Sequence, residues 1–221
     1  MARWLEADAI EQVWRFRHAC KQFDASRTIP EHDWEAILTA ARLSPSSFGF
    51  EPWHFLVLQN RAVREALLPV AWGAQGQFPT ASHVVAILAR KDVRWDSPYL
   101  AAHMREVKRL DDATIDQRQT RVRNFQEREF KLLETPTGLF EWSARQCYLA
   151  LASMMTAAAL LGIDSCPIEG FDREQAEAIL SRFHPIDWTT WGLAVFVAFG
   201  YRVVEPPEKT RWPKDKTVTV L

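Results

Sequence analysis

Cys166-Pro167-Ile168-Glu169-Gly170-Phe171-Asp172 follows the most apolar run of the chain, Leu149 to Ile163. Its reading decides how the rest is organised. Pro167 removes a backbone donor and fixes φ. Gly170 lets the chain turn and lets another body approach the backbone closely. A buried helix that ends at Gly162 and opens into Pro-Ile-Glu-Gly leaves the N–H groups of Glu169 and Gly170 free to face a flat polar ligand. Taken alone, the plainer reading is a helix stop, a loop and a new helix from Asp172.

Outward from that stretch, the preceding helix is expected over Glu141 to Gly162. Ala150, Ala152, Ala157, Ala158 and Ala159 would let another helix come close, and both faces are apolar, which predicts burial all round. Trp53 to Leu58, Ser82 to Ala89 and Thr189 to Phe199 carry dense strand patterns. Pro30-Glu31 opens a helix with proline in its first turn. Trp34, Ile37, Leu38 and Ala41 form its buried face, and Ser44-Pro45 stops it. Asp8-Ala9-Ile10-Glu11 reads as a capping box at the head of a short amphipathic helix. Pro98 to Leu110 and Thr114 to Leu133 read as charged helices, the second a solvated surface element. The tail runs through Pro206-Pro207 to Lys216–Leu221, which alternates like a strand. Few strands separated by helices give an α+β fold with a small mixed, mostly antiparallel sheet flanked by helices. One domain over 1–221 is expected, with 203–221 an arm. A final strand after a proline-rich arm has little reason to fold back locally, so its economical home is the sheet edge of a second subunit: a homodimer with a swapped C-terminal strand.

The bulk properties narrow the function. The 221 residues are 48% hydrophobic with a formal net charge of −1, so no global basic field favours nucleic acid or an anionic membrane. The first residues, Met1 to Asp8, carry acids and lack the apolar core of a signal peptide. Leu149 to Ile163 is too short to span a bilayer. The three cysteines, Cys20, Cys147 and Cys166, are far apart and show no metal-binding spacing, so no metal and a reducing, cytoplasmic compartment are expected. Ten tryptophans supply flat aromatic surface for a core, interface or pocket.

No nucleophile elbow, Walker loop or Gly-x-Gly-x-x-Gly is present. Each remaining feature has a plain reading: Arg17 and Lys21 as solvated charges at a helix end, Lys209-x-Arg211 as a solvated tail, Ser44-Pro45-Ser46-Ser47 as a helix stop. His18 reads as a surface or packed histidine, and His54 and His83 as core histidines bonded to backbone.

In order and spacing, however, several blocks stand together. They are Arg17-His18-x-x-Lys21-x-Phe23-Asp24, Ser44-Pro45-Ser46-Ser47 with Pro52-Trp53-His54-Phe55, Ala81-Ser82-His83-Val84-Val85, Pro167-Ile168-Glu169-Gly170-Phe171-Asp172, and Lys209-Thr210-Arg211. This pattern resembles the FMN-dependent nitroreductases, in the branch of the oxygen-insensitive NAD(P)H nitroreductases and dihydropteridine reductases. It covers nearly the whole chain; Asp92 to Leu139 matches poorly.

The resemblance implies an α+β homodimer with two FMN sites, each built from both subunits, and the long apolar helix in the dimer core. Arg17, Lys209 and Arg211 match positions that hold the FMN phosphate, and His18 and Ala19 its neighbours along the ribityl chain. Lys21 and Gln77 match groups near the pyrimidine edge, where Lys21 would favour the reduced anion. Pro167, Ile168, Glu169 and Gly170 line one flavin face, with the N–H groups of Glu169 and Gly170 near N5 and O4. Pro45, Ser46, Ser47 and Gln146 match the other subunit's contribution. NADH or NADPH and then a small-molecule oxidant, a nitroaromatic or quinone, would use one site in turn, so ping-pong kinetics are implied with no obligatory side-chain acid or base. The same scaffold also serves dehalogenation, dehydrogenation or flavin fragmentation, and a flavin-binding protein without turnover is the rival from another class. Ala19 and Cys20 replace a common hydroxyl pair, Gly49-Phe50-Glu51 departs before Pro52-Trp53, and Ala74 stands where asparagine is common. Phe48, Phe50 and Trp72 are expected to crowd the substrate mouth with aromatics.

Overall fold

The computed structural model describes residues 5–221; Met1–Trp4, half of the stretch read above as lacking a signal-peptide core, lie outside them. Four strands form an antiparallel sheet in the order β1-β2-β4-β3: β1 Trp53–Val57, β2 His83–Arg90, β3 Asp164–Ile168 and β4 Trp191–Gly200. The one parallel pairing is an isolated bridge from Ala19 to Ser165 at the β3 edge. β2 and β4 are central, and β4 and the body of β2 at residues 84–89 are apolar, because both faces of the sheet are covered. Val84, Ala86, Leu88, Phe196 and Ala198 face one core layer. Val85, Ile87, Ala89, Val195, Val197 and Phe199 face the other. The register passes from Ile87↔Val195 to Leu88↔Leu193, so Ala194 is an extra residue in β4, a bulge that re-aims the strand.

Helices α2 (Glu31–Arg42) and α7 (Gly138–Leu160) cover the second face, with Trp34, Ile37 and Ala41 inward as their spacing predicts. Helices α3 (Arg61–Leu67) and α8 (Arg173–Leu180) cover the first. The Asp172 side chain caps α8 by accepting from Gln175 N–H at 3.0 Å.

Several expectations are corrected. Asp164–Ile168 is a strand and not a loop. Gly162, at φ +71°, reverses the chain after α7, and β3 then pairs with β4 as its one strand neighbour, its outer side meeting only the bridge to Ala19. Proline is tolerated there because an edge strand has an outward side that needs no donor. Lys216–Leu221 is not a strand in a single chain. Lys214–Thr217 forms one helical turn, closed by Val218 N–H donating to Lys214 O at 2.8 Å, and Val218 to Leu221 run on exposed without a strand partner. Helix α7 is not buried all round: Tyr148, Leu149, Leu160 and Leu161 are exposed. The solvated helices also enclose a third apolar cluster. Helix α5 is Pro98–Ala102 and helix α6 is Asp112–Asn124, each continued by a π turn, at His103–Val107 and Phe125–Glu129. Leu100, Met104, Ile115, Val122 and Phe125 from this segment pack with Phe50 and Trp142.

Smaller corrections concern caps and histidines. In α1 (Ala7–Phe16) the N-cap is Glu6 with no side-chain cap; Glu11 pairs with Arg15 at 2.6 Å, so no capping box forms. Pro30 is the N-cap of α2 rather than a first-turn residue. His54 is exposed on edge strand β1. His83 is buried, but it stacks on Trp34 at 4.1 Å and bonds the Ser82 hydroxyl at 2.9 Å, not backbone.

Candidate active site

The last turn of α1 delivers Arg17 and His18 to the outer edge of β3. There Cys20 N–H donates to Ser165 O at 3.1 Å and ties the turn to the sheet. The C-terminal arm folds back over it. Pro206 to Arg211 line a cleft of about 470 Å³ together with Arg15, Arg17, His18, Ala19 and Lys21. Lys209 Nζ donates to Arg17 O. Among the described residues, Arg17, Lys21, Lys209 and Arg211 have no acidic ion-pair partner. Burial, then the charges of Arg17 and Arg211, hold the Lys209 pKa below its ordinary value. Like charges so crowded await an anion. The His18 pKa is likewise lowered, by burial first and then by Arg202, against the raising influence of Asp164.

The Pro-Ile-Glu-Gly turn closes the same edge. Gly73 N–H donates to Gly170 O at 2.7 Å. A Cβ on Gly170 would stand 2.8 Å from Trp72 Nε1 and 3.0 Å from Gly73 Cα, so only glycine permits this approach. Trp72 is exposed above it. The Glu169 side chain accepts from Tyr148 Oη of α7. Gln77 lies beneath, its amide 3.5 Å from the buried Cys166 thiol.

Pro45, Ser46 and Ser47 form a separate group. Ser47 N–H donates to Gln146 Oε1 at 2.9 Å, and Ser46 Oγ accepts from Glu51 N–H at 2.9 Å. Phe48 and Glu51 have positive φ, which stores strain in this loop, whereas Gly49 adopts its positive φ freely. Phe50 is buried against Phe48 and His103. Among the described residues no hydrogen bond or ring contact joins this group to the Arg17–Lys209 cleft.

Residues 14–201 match the nitroreductase family. The chain belongs to that family. A relative in Staphylococcus saprophyticus, provisionally named an NAD(P)H nitroreductase, is 46% identical over 212 residues, 96% of each chain. YfkO of Bacillus subtilis, under the same provisional name, is 45% identical over 204 residues, 91% of this chain and 92% of the relative. A solved structure provisionally described as a nitroreductase in complex with FMN, from Exiguobacterium sibiricum, superposes with a TM-score of 0.76 over the whole of both chains at 18% identity.

Membership of the nitroreductase family gives the scattered groups a common frame. Arg17, His18, Ala19, Lys21, Lys209 and Arg211 come together in one chain, with Pro167 to Gly170 beside them. Pro45, Ser46, Ser47 and Gln146 stand apart. Two expectations about the mouth change. Ala74 is fully buried, so the missing asparagine removes no contact from an exposed edge. Phe50 is floor rather than rim. Sequence reasoning missed Asp164, Arg202 and Tyr148. Arg202 Nη2 lies 2.7 Å from Asp164 Oδ1 and donates to Phe16 O at 3.2 Å, which fixes the end of α1 where the cations begin. Its only sequence signal was an acid inside an apolar stretch, Ile163-Asp164-Ser165. Among the described residues there is no metal-holding cluster, and no helix is long and apolar enough to cross a membrane.

Proposed function

We propose that this member of the nitroreductase family is an FMN-dependent NAD(P)H oxidoreductase that reduces nitroaromatics or quinones by ping-pong kinetics. One observation carries the reading: four cations without acidic partners gathered beside a glycine-gated backbone turn. The residues fit FMN. Arg17, Lys209 and Arg211 would hold a dianionic phosphate with charge-assisted bonds, His18 and Ala19 would flank it, and Lys21 would supply positive charge further along. Glu169 and Gly170 would present main-chain N–H groups, and Trp72 would shield the turn from water. When bound, FMN supplies the hydride-accepting and hydride-donating centre, so the chain needs no acid–base dyad. The three buried, free thiols suit a reducing, cytoplasmic compartment.

The purified protein is expected to be yellow, to bleach anaerobically with NADH or NADPH, and to regain colour with menadione or nitrofurazone. Initial rates should give parallel double-reciprocal lines. Bound flavin that neither pyridine nucleotide bleaches would sink the proposal.

The same reading makes the chain one domain that works as a homodimer. The exposed apolar residues Ile10 and Trp14 of α1 lie on the helix that packs against α7, which itself exposes Tyr148, Leu149 and Leu160. Ser46, Ser47 and Gln146 would then complete the partner's site. Pro206–Arg211 rests on its own chain's α1 end, which supports an arm over 203–221 whose reach to the partner lies chiefly in Trp212 to Leu221. Deleting Trp212 to Leu221 should therefore weaken the dimer while leaving the phosphate cations in place. Sedimentation would check this; a truncated chain as dimeric as the full one would refute the crossing arm.

A further inference from the structure

The Ser46–Phe50 loop borders a second concavity that the cofactor reading leaves unused. It is about 240 Å³ and is lined by Phe48, Phe50, Arg118, Arg121 and Val122. That exceeds the roughly 150 Å³ that admits benzene and falls below the roughly 300 Å³ at which drug-sized pockets begin. It is room for one substituted ring. Phe48 and Phe50 are stacked with centroids 5.4 Å apart, and Phe125 meets Phe48 edge-on at 5.0 Å, so an aromatic wall is already assembled.

The rim is cationic at Arg118 and Arg121, and a third cation, Lys108, stands outside the lining beside Gly49. Arg118 and Arg121 are three residues apart on α6 and share one face. Arg121 is committed to Glu129. Arg118 has no ion-pair partner among the described residues. Lys108, also without one, lays its ammonium over Gly49, 2.8 Å from where a Cβ on residue 49 would stand. A side chain at position 49 would displace it. The niche thus combines a flat apolar wall with uncommitted positive charge, and Glu129 is already engaged.

We propose that this niche selects oxidants that are single-ring aromatics bearing an anionic carboxylate or sulfonate, with Arg118 and Lys108 receiving the anion and Phe48 the ring. This rests on the oxidoreductase reading above and deepens it, since Ser46 and Ser47 of the same loop are assigned there to the partner's site. The anionic group has two possible bearers, the oxidant or the 2′-phosphate of NADPH, and the experiment separates them.

The dimeric holoenzyme is assayed with 4-nitrobenzoate and its neutral counterpart 4-nitrobenzamide, each with NADH and with NADPH, and binding of both nitro compounds to the oxidised enzyme is read from the flavin absorbance. Wild-type kcat/KM and affinity should favour the benzoate by about tenfold at low salt, and the preference should shrink as salt screens exposed charge. Arg118→Ala and Lys108→Ala should each lower benzoate affinity about three- to fivefold and leave benzamide turnover and FMN content unchanged. Arg118→Lys should retain most of the preference. Equal loss for both nitro compounds, or an unchanged benzoate preference, overturns the proposal; so does an effect confined to NADPH over NADH, which would assign the niche to the nucleotide. Failure to turn over even benzamide and menadione would instead strike the oxidoreductase reading itself.

Discussion

Gly170→Val is expected to raise the FMN dissociation constant at least about 100-fold, equivalent to roughly 2.7 kcal/mol, and to give a colourless protein with matching loss of NAD(P)H oxidation. The geometry allows little escape. The nearest atoms to a Cβ there are Trp72 Nε1 at 2.8 Å and the Gly73 backbone at 3.0 Å. The indole can swing away, since Trp72 is exposed, but the Gly73 main chain is held by its own bond to Gly170 O at 2.7 Å. A valine therefore pushes the two backbones apart, breaks that bond and turns the Glu169 and Gly170 N–H groups out of place. Glu169→Gln is the contrasting variant. Its side chain is exposed and meets Tyr148, and an amide oxygen still accepts from that phenol, so FMN should stay largely bound. Gly73→Ala tests the same contact from the other side: its Cβ would meet Gly170 at 3.1 to 3.2 Å, tight but not prohibitive, and a loss of about tenfold or less is expected. Fluorescence titration of FMN measures all three, with circular dichroism of the apo-protein showing that each has folded. Wild-type affinity in Gly170→Val would mean that the flavin does not face this turn.

The parts of this fold that were legible in sequence are those whose signal is local. The centres of β2 and β4 are continuous apolar runs because both of their faces are covered, and the break at Pro-Ile-Glu-Gly announced a new helix from Asp172, where α8 is capped. β3 was hidden by Pro167, which argues against a strand until the strand is known to be an edge. The third cluster was hidden by charge. In α6 only Ile115 and Val122, seven residues apart, are buried, and the arginines between them dominate the pattern. The site was legible only through resemblance. Arg17 and Lys209 are 192 residues apart in the chain yet in contact, and no periodicity links them. What no reading of the sequence supplied is the support beneath the cations. Asp164 shows only as an acid inside an apolar stretch and Arg202 carries no local signal; their pairing is a product of the β3–β4 register and the chain that leaves β4.

That support leads to the second large effect. Asp164→Ala is expected to cost about 3–5 kcal/mol of stability, the usual penalty for removing one partner of a buried ion pair. For a chain of this size that corresponds to a melting temperature lower by roughly 6–20 °C. The Asp164 carboxylate is 3% exposed and the Arg202 side chain 13%. The carboxylate accepts from Arg202 Nε at 3.0 Å and from Arg202 main-chain N–H at 2.9 Å, so its loss leaves a backbone donor unpaired and the largely covered cation with only the exposed Glu205 as an acidic partner. Burial lowers the Arg202 pKa, and the bonds to Asp164 and Glu205 more than offset it; without Asp164 the guanidinium still does not deprotonate, because arginine keeps its proton in proteins, and so cannot relieve the loss that way. Arg202 also lies 4.3 Å over the Phe16 ring and donates to Phe16 O. Freed from Asp164, it no longer fixes the turn from which Arg17 and His18 project, and FMN affinity should fall with stability. A double-mutant cycle separates this from general damage. Asp164→Leu with Arg202→Met removes both charges, and the pair variant should be less destabilised than the sum of the singles by about 1–3 kcal/mol. Thermal melts of the four apo-proteins read the coupling, and strict additivity would show that the two residues act independently and that the cation turn is held by something else.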